Sequence, residues 1–318
     1  MKAAILAAGL GIRLRPLTER VPKPLMPVLN RPLLGVWLAR LEEGGFTRVA
    51  VNTHHLSGLV QQFLEEQRPR GMNLSISHEP ELLGTGGGLR KLGERLGAGE
   101  GEPFLAVNGD VLTDLDLAAV YRVHRPGAIT TLVLHDCPPY NKVWTAGEAV
   151  VSIGAPPEAP AGPPLAYTGV QVVSPAMLKY LPPGGQEYDL VAAWREAMAA
   201  GEKVQALVVS GHFWQDLGTP EAYLALHRRL LNGAAPGLAR FFPGLADPFI
   251  GPGAEIARGV RFRGGVCLGA GVKVGARASL KNTVVWERAD LAPGVSLEDC
   301  IVAAGVRVSR SARGRMLV

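Results

Sequence analysis

"LAAGLGIRLRPLTERVPKPLMPV" runs from Leu6 to Val28, and its reading sets that of the whole chain. It closes an apolar run, MKAAIL, and then turns into a segment unsuited to a core. Gly9 and Gly11 come first, then Arg13 and Arg15, then Lys23 between Pro22 and Pro24. A short β run that ends in glycines and precedes a helical stretch, here Pro32–Glu43, opens a βαβ unit. Without a Cβ, the glycines let a ligand approach backbone N–H groups, and a phosphate is the ligand that suits such a loop.

The charge distribution agrees. Residues 1–31 hold six cations (Lys2, Arg13, Arg15, Arg20, Lys23, Arg31) and one anion (Glu19), while the other 287 residues balance at 27 against 27. Nucleic-acid surfaces spread basic residues over a face or a tail. An excess confined to one loop points instead to a small anionic ligand, with no nucleic-acid partner. The apolar start is too short for a signal peptide, and no run approaches the roughly 20 residues of a membrane span. A cytoplasmic protein without a membrane partner is expected. Cys137, Cys267 and Cys300 have no metal-ligand spacing and are expected as buried thiols.

Two periodicities divide the chain. Up to about residue 230, β-type runs alternate with helical ones. Lys2–Ala8, Arg48–Asn52, Asn73–Ser77, Phe104–Asn108, Ile129–Leu134, Tyr167–Val173 and Lys203–Val208 read as strands. The pattern predicts a Rossmann-like α/β fold, a mostly parallel sheet with helices on both faces, and ligands beyond the carboxyl ends of the strands. The Pro- and Gly-rich stretch 231–248 reads as a linker. Beyond it, Ile250, Ile256, Phe262, Leu268, Val274, Leu280 and Trp286 keep an unbroken six-residue spacing, with Ala254, Val260, Val266, Val272, Ala278 and Val284 as a second series. Hexapeptide repeats predict a short parallel β-helix with these residues stacked inside. The phase slips by one after Trp286, and Leu291 and Leu297 resume it. The domains expected are 1–232 (catalytic), 233–247 (linker) and 248–318 (β-helix). Hexapeptide acyltransferases use a histidine, and the last one here, His227, precedes the repeats.

The opening loop fits neither common phosphate motif. Leu14 stands where a dinucleotide fingerprint needs its third glycine, and no Gly-Lys-Ser/Thr follows. The string Leu6-Ala7-Ala8-Gly9-x-Gly11-x-Arg13-Leu14-x-Pro16-Leu17-Thr18, with Pro22-Lys23-Pro24-Leu25, resembles the signature of the sugar-1-phosphate nucleotidylyltransferases. "GTGG" (84–87), "VNGD" (107–110), "YTGV" (167–170) and "WQDLGTPEAY" (214–223) extend the resemblance in order. The branches it is most similar to are the mannose-1-phosphate guanylyltransferases and the muramate-1-phosphate uridylyltransferases.

The resemblance implies a left-handed β-helix after the α/β domain, and attack of a sugar 1-phosphate on the α-phosphate of an NTP with loss of pyrophosphate. Arg13, Lys23, Asp110 and Asp216 would be catalytic, Arg13 on the leaving phosphates and Lys23 on the α-phosphate. Leu6, Ala8, Gly9, Gly11, Arg13, Lys23, Glu79, Gly84 and Thr85 would line the nucleotide. Asn108, Gly169 and Glu158 would meet the sugar phosphate, although the lysine that relatives place beside Glu158 is missing here. Asp110 and Asp216 would hold Mg²⁺, a hard cation suited to carboxylate and phosphate oxygens. A phosphate monoester is already an anionic nucleophile, so no general base is needed. Asp114 and Asp116 read as helix caps. Glu79, an acceptor only, suits the two donors of guanine, which favours GTP; capping a loop is the alternative. Mannose 1-phosphate is the sugar favoured by the resemblance to the guanylyltransferase branch. A uridylyl- or thymidylyltransferase and a non-catalytic regulatory paralogue remain open. The short solenoid leaves apolar surface uncovered, so a homo-oligomer through the β-helix is expected.

Overall fold

The computed structural model describes residues 1–97, 101–160, 162–183 and 186–318. The chain forms two compact units: Met1–Gly9 with Trp37–Gly109 and Leu115–His212, and Leu10–Val36 with Asp110–Asp114 and Phe213–Val318.

The first unit is built on a 9-stranded sheet. Its strands are β1 (Lys2–Leu6), β2 (Arg48–Thr53), β3 (Asn73–His78), β4 (Phe104–Asn108), β5 (Ala128–His135), β6 (Val143–Ala146), β7 (Ala149–Ile153), β8 (Ala166–Val173) and β9 (Lys203–Val208). They lie in the order β3-β2-β1-β4-β8-β5-β9-β7-β6. The four strands from β3 to β4 run parallel, as do β5 and β9. β8 opposes both its neighbours, and β6–β7 is an antiparallel edge hairpin on β9. The sequence pattern gives no sign of this hairpin because VWTA and AVVSI are short and half exposed.

Helices α1 (Leu33–Glu43), α2 (Ser57–Glu66), α3 (Gly84–Arg95), α4 (Leu117–Val123) and α5 (Leu190–Ala199) alternate with these strands, and both faces of the sheet are covered. Ala4, Phe104, Ala106, Leu132 and Val173 pack with Leu89 and Leu92 of helix α3 (Gly84–Arg95) and with Trp194 and Ala197 of helix α5 (Leu190–Ala199). Ala3, Ile5, Leu105 and Val107 alternate with them along the same strands and are buried too. Alternate residues of a strand point to opposite faces, so a run buried at every position is sandwiched between two layers. β1 and β4 are parallel neighbours with Leu6 opposite Asn108, and Gly109 N–H donates to Leu6 O at 2.8 Å. The glycine loop and the Asp110 segment therefore follow adjacent carboxyl ends, where ligands of such sheets collect.

In the second unit, three short 3-10 turns (Ile12–Leu14, Leu17–Glu19, Lys23–Leu25) lead into a hairpin of Pro27–Val28 and Arg31–Pro32. A ribbon pairs Val111–Thr113 with Trp214–Asp216, and helix α6 (Pro220–Leu231) follows, capped by Thr219. The Pro- and Gly-rich stretch after it holds a 3-10 turn, Pro236–Phe241, that buries Leu238 and Phe241. The repeats then form three parallel ladders, as in a left-handed β-helix, with five strands on one face from Phe249–Ile250 to Met316–Leu317.

One detail of the repeats corrects the sequence expectation. Phe249 pairs with Cys267 after 18 residues, but Cys267 pairs with Val284 after 17, so Leu268 stacks on Val285. The phase slips before Trp286, not after it. Val285 joins the interior with Leu268, Leu280 and Leu291, and Trp286 is turned out of that stack. Its indole N–H donates to Tyr223 Oη of α6 at 3.1 Å.

His227, also on α6, is 0% exposed. Its Nδ1 is 2.9 Å from Tyr223 O, which only accepts, so that nitrogen carries the proton and Nε2 accepts from Leu29 N–H at 3.2 Å. Burial pulls the His227 pKa down to about 4, against smaller opposing effects of backbone bonds to Tyr223 and Pro27. A depressed histidine pKa means that the unfolded chain binds the proton first. The stability is therefore complete above the ordinary value of 6.5 and is lost as the pH falls from there towards 4. Two and a half pKa units at 1.36 kcal/mol each put the loss on the order of 3 kcal/mol. Thermal unfolding followed against pH should show a midpoint that falls through this window, and His227→Gln should flatten part of the fall.

Candidate active site

The ribbon of the second unit places two carboxylates together. Asp216 pairs with Val111, and Leu217 N–H donates to Asp110 O at 3.0 Å. The ammonium of Lys23 meets Asp110 Oδ2 at 2.7 Å. Lys23 is 8% exposed, at the head of a 3-10 turn closed by Leu25 N–H on Pro22 O (2.8 Å) and Met26 N–H on Lys23 O (3.1 Å). Its flanking prolines fix φ on either side of it. A Cβ on Gly218 would collide with Arg13 Nη2 and lie 2.7 Å from Asp216 Oδ2, so only glycine leaves room for both side chains. The structure thus brings together all four residues that the sequence reading named as catalytic.

The electrostatics follow from this crowding. The Asp216 carboxyl is raised above its usual range by burial first and by the Asp110 charge second, with Lys23, Arg13 and the Gly218 amide pulling it back. The glycine loop is fixed from below. Gly11 adopts φ +62°, Thr18 Oγ1 donates to Gly11 O at 2.9 Å, and a Cβ on Gly11 would sit 2.8 Å from Thr18 Cγ2. Leu14 and Leu17 are buried, while Arg13 and Arg15 between and before them stay exposed.

The first unit holds the remaining predicted residues. Gly9 is exposed, with nothing within 4 Å of where a Cβ would be, and Ala8 is buried beside half-buried Leu6. Glu79 is 1% exposed, with Oε1 accepting from Asn52 Nδ2 (2.8 Å) and Oε2 from Leu83 N–H (3.2 Å). Asn52 Oδ1 in turn accepts from Ala7 N–H at 2.6 Å. This pair therefore ties the end of β1 to the start of α3, where Gly84 has φ +64°. Thr85 Oγ1 accepts from Leu190 N–H at 3.2 Å and so caps α5. Gly169, with φ +83°, adjoins the Val170–Val107 pair next to half-buried Asn108, whereas Glu158 is exposed in the loop after β7. Asp116 caps helix α4 (Leu117–Val123), and Asp114 accepts from Phe213 N–H at 2.7 Å.

Sequence reasoning missed Asn52. Its signal is an amide one residue before the end of the buried strand RVAVNT, at the carboxyl edge of the sheet.

Among the described residues, no three His, Cys, Asp or Glu side chains gather as a metal site. Asp110 and Asp216 alone are two hard oxygen donors that repel each other, a set that fits a divalent cation sharing its other positions with phosphates and water.

A model of the nucleotidyl transferase family matches residues 2–233. The chain belongs to that family. It is 36% identical to an N-acetylmuramate alpha-1-phosphate uridylyltransferase of Neisseria meningitidis serogroup B, over 69% of this chain and 94% of the relative. It is 30% identical to a probable mannose-1-phosphate guanylyltransferase 3 of Oryza sativa subsp. japonica, over 98% of this chain and 84% of the relative. In fold it is similar to a putative glucose-1-phosphate thymidylyltransferase of Bacillus anthracis, with TM-score 0.61 and 20% identity over 71% of this chain and 93% of that one. Sugar-1-phosphate nucleotidyl transfer is the activity this membership supports, and such enzymes generally use a divalent metal.

Asp216→Asn removes one of two repelling carboxylates, so the metal-free protein should unfold at a higher temperature. Mg²⁺ with nucleotide should raise the wild-type midpoint by ligand linkage and leave that of the variant nearly unmoved. A variant raised by Mg²⁺ as much as the wild type would place the cation elsewhere.

Proposed function

We propose that the protein transfers GMP from GTP to mannose 1-phosphate, releasing pyrophosphate. The observation that carries the chemistry is the Lys23–Asp110 pair at 2.7 Å, with Asp216 and Arg13 in the same cluster. The guanylyl and mannosyl assignment draws on a relative of that printed activity aligned with nearly the whole chain, repeats included.

In this reading the nucleotide's phosphates lie against the N–H groups around Gly9 and Gly11. The exposed guanidinium of Arg13 holds the β- and γ-phosphates with its planar fork. Lys23 neutralises the charge that grows on the α-phosphate, and the prolines beside it lower the cost of ordering it. Asp110 and Asp216 would hold Mg²⁺, which when bound would supply further positive charge to the phosphate oxygens. The sugar phosphate, near Asn108 and Gly169, attacks as an anion, so the site needs positioning and charge rather than a proton acceptor. Glu79 serves the base side indirectly, as a side chain 1% exposed whose oxygens accept from Asn52 and Leu83. The protein works as a homo-oligomer through the β-helix. Ile250 and Ile256 of its first coil, 45% and 39% exposed, are apolar surface for a second copy to cover.

Pyrophosphate release measured over a panel of triphosphates and sugar 1-phosphates tests the assignment. GTP with mannose 1-phosphate should give the highest kcat/KM, and UTP or dTTP ahead of GTP would move the protein to the uridylyl or thymidylyl branch. Lys23→Ala and Asp110→Ala should each lower kcat by roughly 10²–10⁴ with the fold intact, the scale of lost transition-state electrostatics.

Two further measurements separate the finer points. Glu79→Gln should reduce kcat/KM for GTP and UTP by the same factor, since it loosens an anchor, whereas a changed ratio would make Glu79 a reader of the base. Light scattering should return a multiple of the 33.6 kDa chain mass; a monomer at micromolar concentration would remove the oligomer.

A further inference from the structure

The hairpin after Lys23 is held in an uncommon way. Its two tip residues both have positive φ, Leu29 at 45° and Asn30 at 65°, a turn that glycine and asparagine tolerate and leucine resists. Contacts from outside the hairpin keep it there. Leu29 is 1% exposed and gives its N–H to His227, while Tyr223 Oη donates to Pro27 O. Two rungs of the β-helix complete the hold. Asn30 Nδ2 donates to Leu268 O at 2.8 Å, and Trp286, 17 residues after its rung partner Gly269, donates to Tyr223 Oη at 3.1 Å. A Cβ on Gly251 of the first coil would collide with the backbone of Gly269 and Ala270 in the next coil and would also lie 2.9 Å from Asn30 Nδ2, so the amide passes where only glycine fits.

The same hairpin leads back to the lysine by backbone bonds. Leu33 N–H donates to Met26 O and Met26 N–H to Lys23 O, both at 3.1 Å. All of these groups lie in one compact unit.

We propose that the β-helix is a positioning device for the phosphoryl chemistry: Asn30 and Trp286 are positioning residues that set Lys23 through the 27–32 hairpin. They touch no substrate, and the inference rests on the reading of Lys23 as the α-phosphate cation. A hairpin tip freed from Leu268 would let the 3-10 turn at Lys23 shift. Misplacement of a charged group by about 1 Å is enough to cost up to 10²-fold in rate.

A double-mutant cycle tests this. Asn30→Gly suits the positive φ and removes the amide that donates to Leu268 O and accepts from Cys267 Sγ. Its kcat should fall about 10-fold, with KM for GTP within about twofold, on that positioning scale. In a Lys23→Ala background the same substitution should change kcat little, because the group it positions is gone. Trp286→Phe, which keeps an aromatic ring of smaller volume and removes the N–H, should repeat the pattern with a smaller factor, and it serves as the test if Asn30→Gly does not fold.

A merely structural role would lower the active fraction equally in both backgrounds. Equal losses with and without Lys23, or an Asn30→Gly kcat within about twofold of wild type, would overturn the proposal while leaving the role of Lys23 standing. Wild-type kcat in Lys23→Ala itself would overturn both.

Discussion

The parallel pairing of β1 with β4 is the constraint on which the rest of the protein depends. With Leu6 opposite Asn108 and Gly109 bonded to Leu6 O, two segments 100 residues apart in sequence leave adjacent strand ends. One carries the glycines and cations of the opening loop, the other Asp110. The strand order reverses its direction at this point, with β2 and β3 on one side of β1 and β4 on the other, and in open α/β sheets such a switch point is where ligands bind. Lys23 and Asp110 illustrate the energetics. A nearly buried ammonium would be costly alone, and the half-exposed carboxylate at 2.7 Å relieves it while staying open to solvent on its other side. Asp216 adds repulsion that the fold alone does not need. Such arrangements persist where a bound ligand's charge completes them.

Much of this was legible in the sequence, and the reasons differ by element. β4 and β9 fall at the residues read from periodicity because each is a short apolar run between turns. Arg13 and Lys23 stand out in the sequence as charges among glycines and prolines, which have no place in a core, whereas Asp110 and Asp216 are singled out only by the family resemblance of their motifs. The edge hairpin β6–β7 was not legible, since half-exposed strands of four and five residues carry no periodicity that separates them from loops. Nor was the fate of Glu79. Its type suggests an acceptor for a base, but whether its oxygens are free depends on Asn52, a residue 27 positions away in sequence and two strand ends apart in function.

The repeats make a similar point about period and phase. Spacing alone reveals a hexapeptide solenoid, yet it misplaces the slip. A series of apolar residues reads as continuous through Trp286, although the pairing of Leu268 with Val285 has already moved the interior by one residue. The distinction is chemical. Valine fills a stacked interior between Leu268 and Val302 without polar atoms, whereas an indole needs a partner for its N–H, and Tyr223 supplies one outside the stack.

That slip links packing to function. An uninterrupted repeat would keep Trp286 inside and leave Tyr223 with one bond, to Pro27, instead of a chain that runs from the solenoid through α6 to the hairpin. A coil one residue short costs some regularity in the ladder, but the ladder continues to Met316–Leu317 without loss of pairing. A stacked solenoid is well suited to such a task, because each rung is fixed by the ones on either side and a side chain presented from it does not drift. Loops held only by their own turns open locally at little cost; the hairpin behind Lys23, tied to two rungs and to a buried helix, is withdrawn from that class of motion. The slip that turns Trp286 outward is one of several, since the ladder steps by 18, then 17, then 15 residues, and it is the one that hands an N–H to Tyr223 of α6.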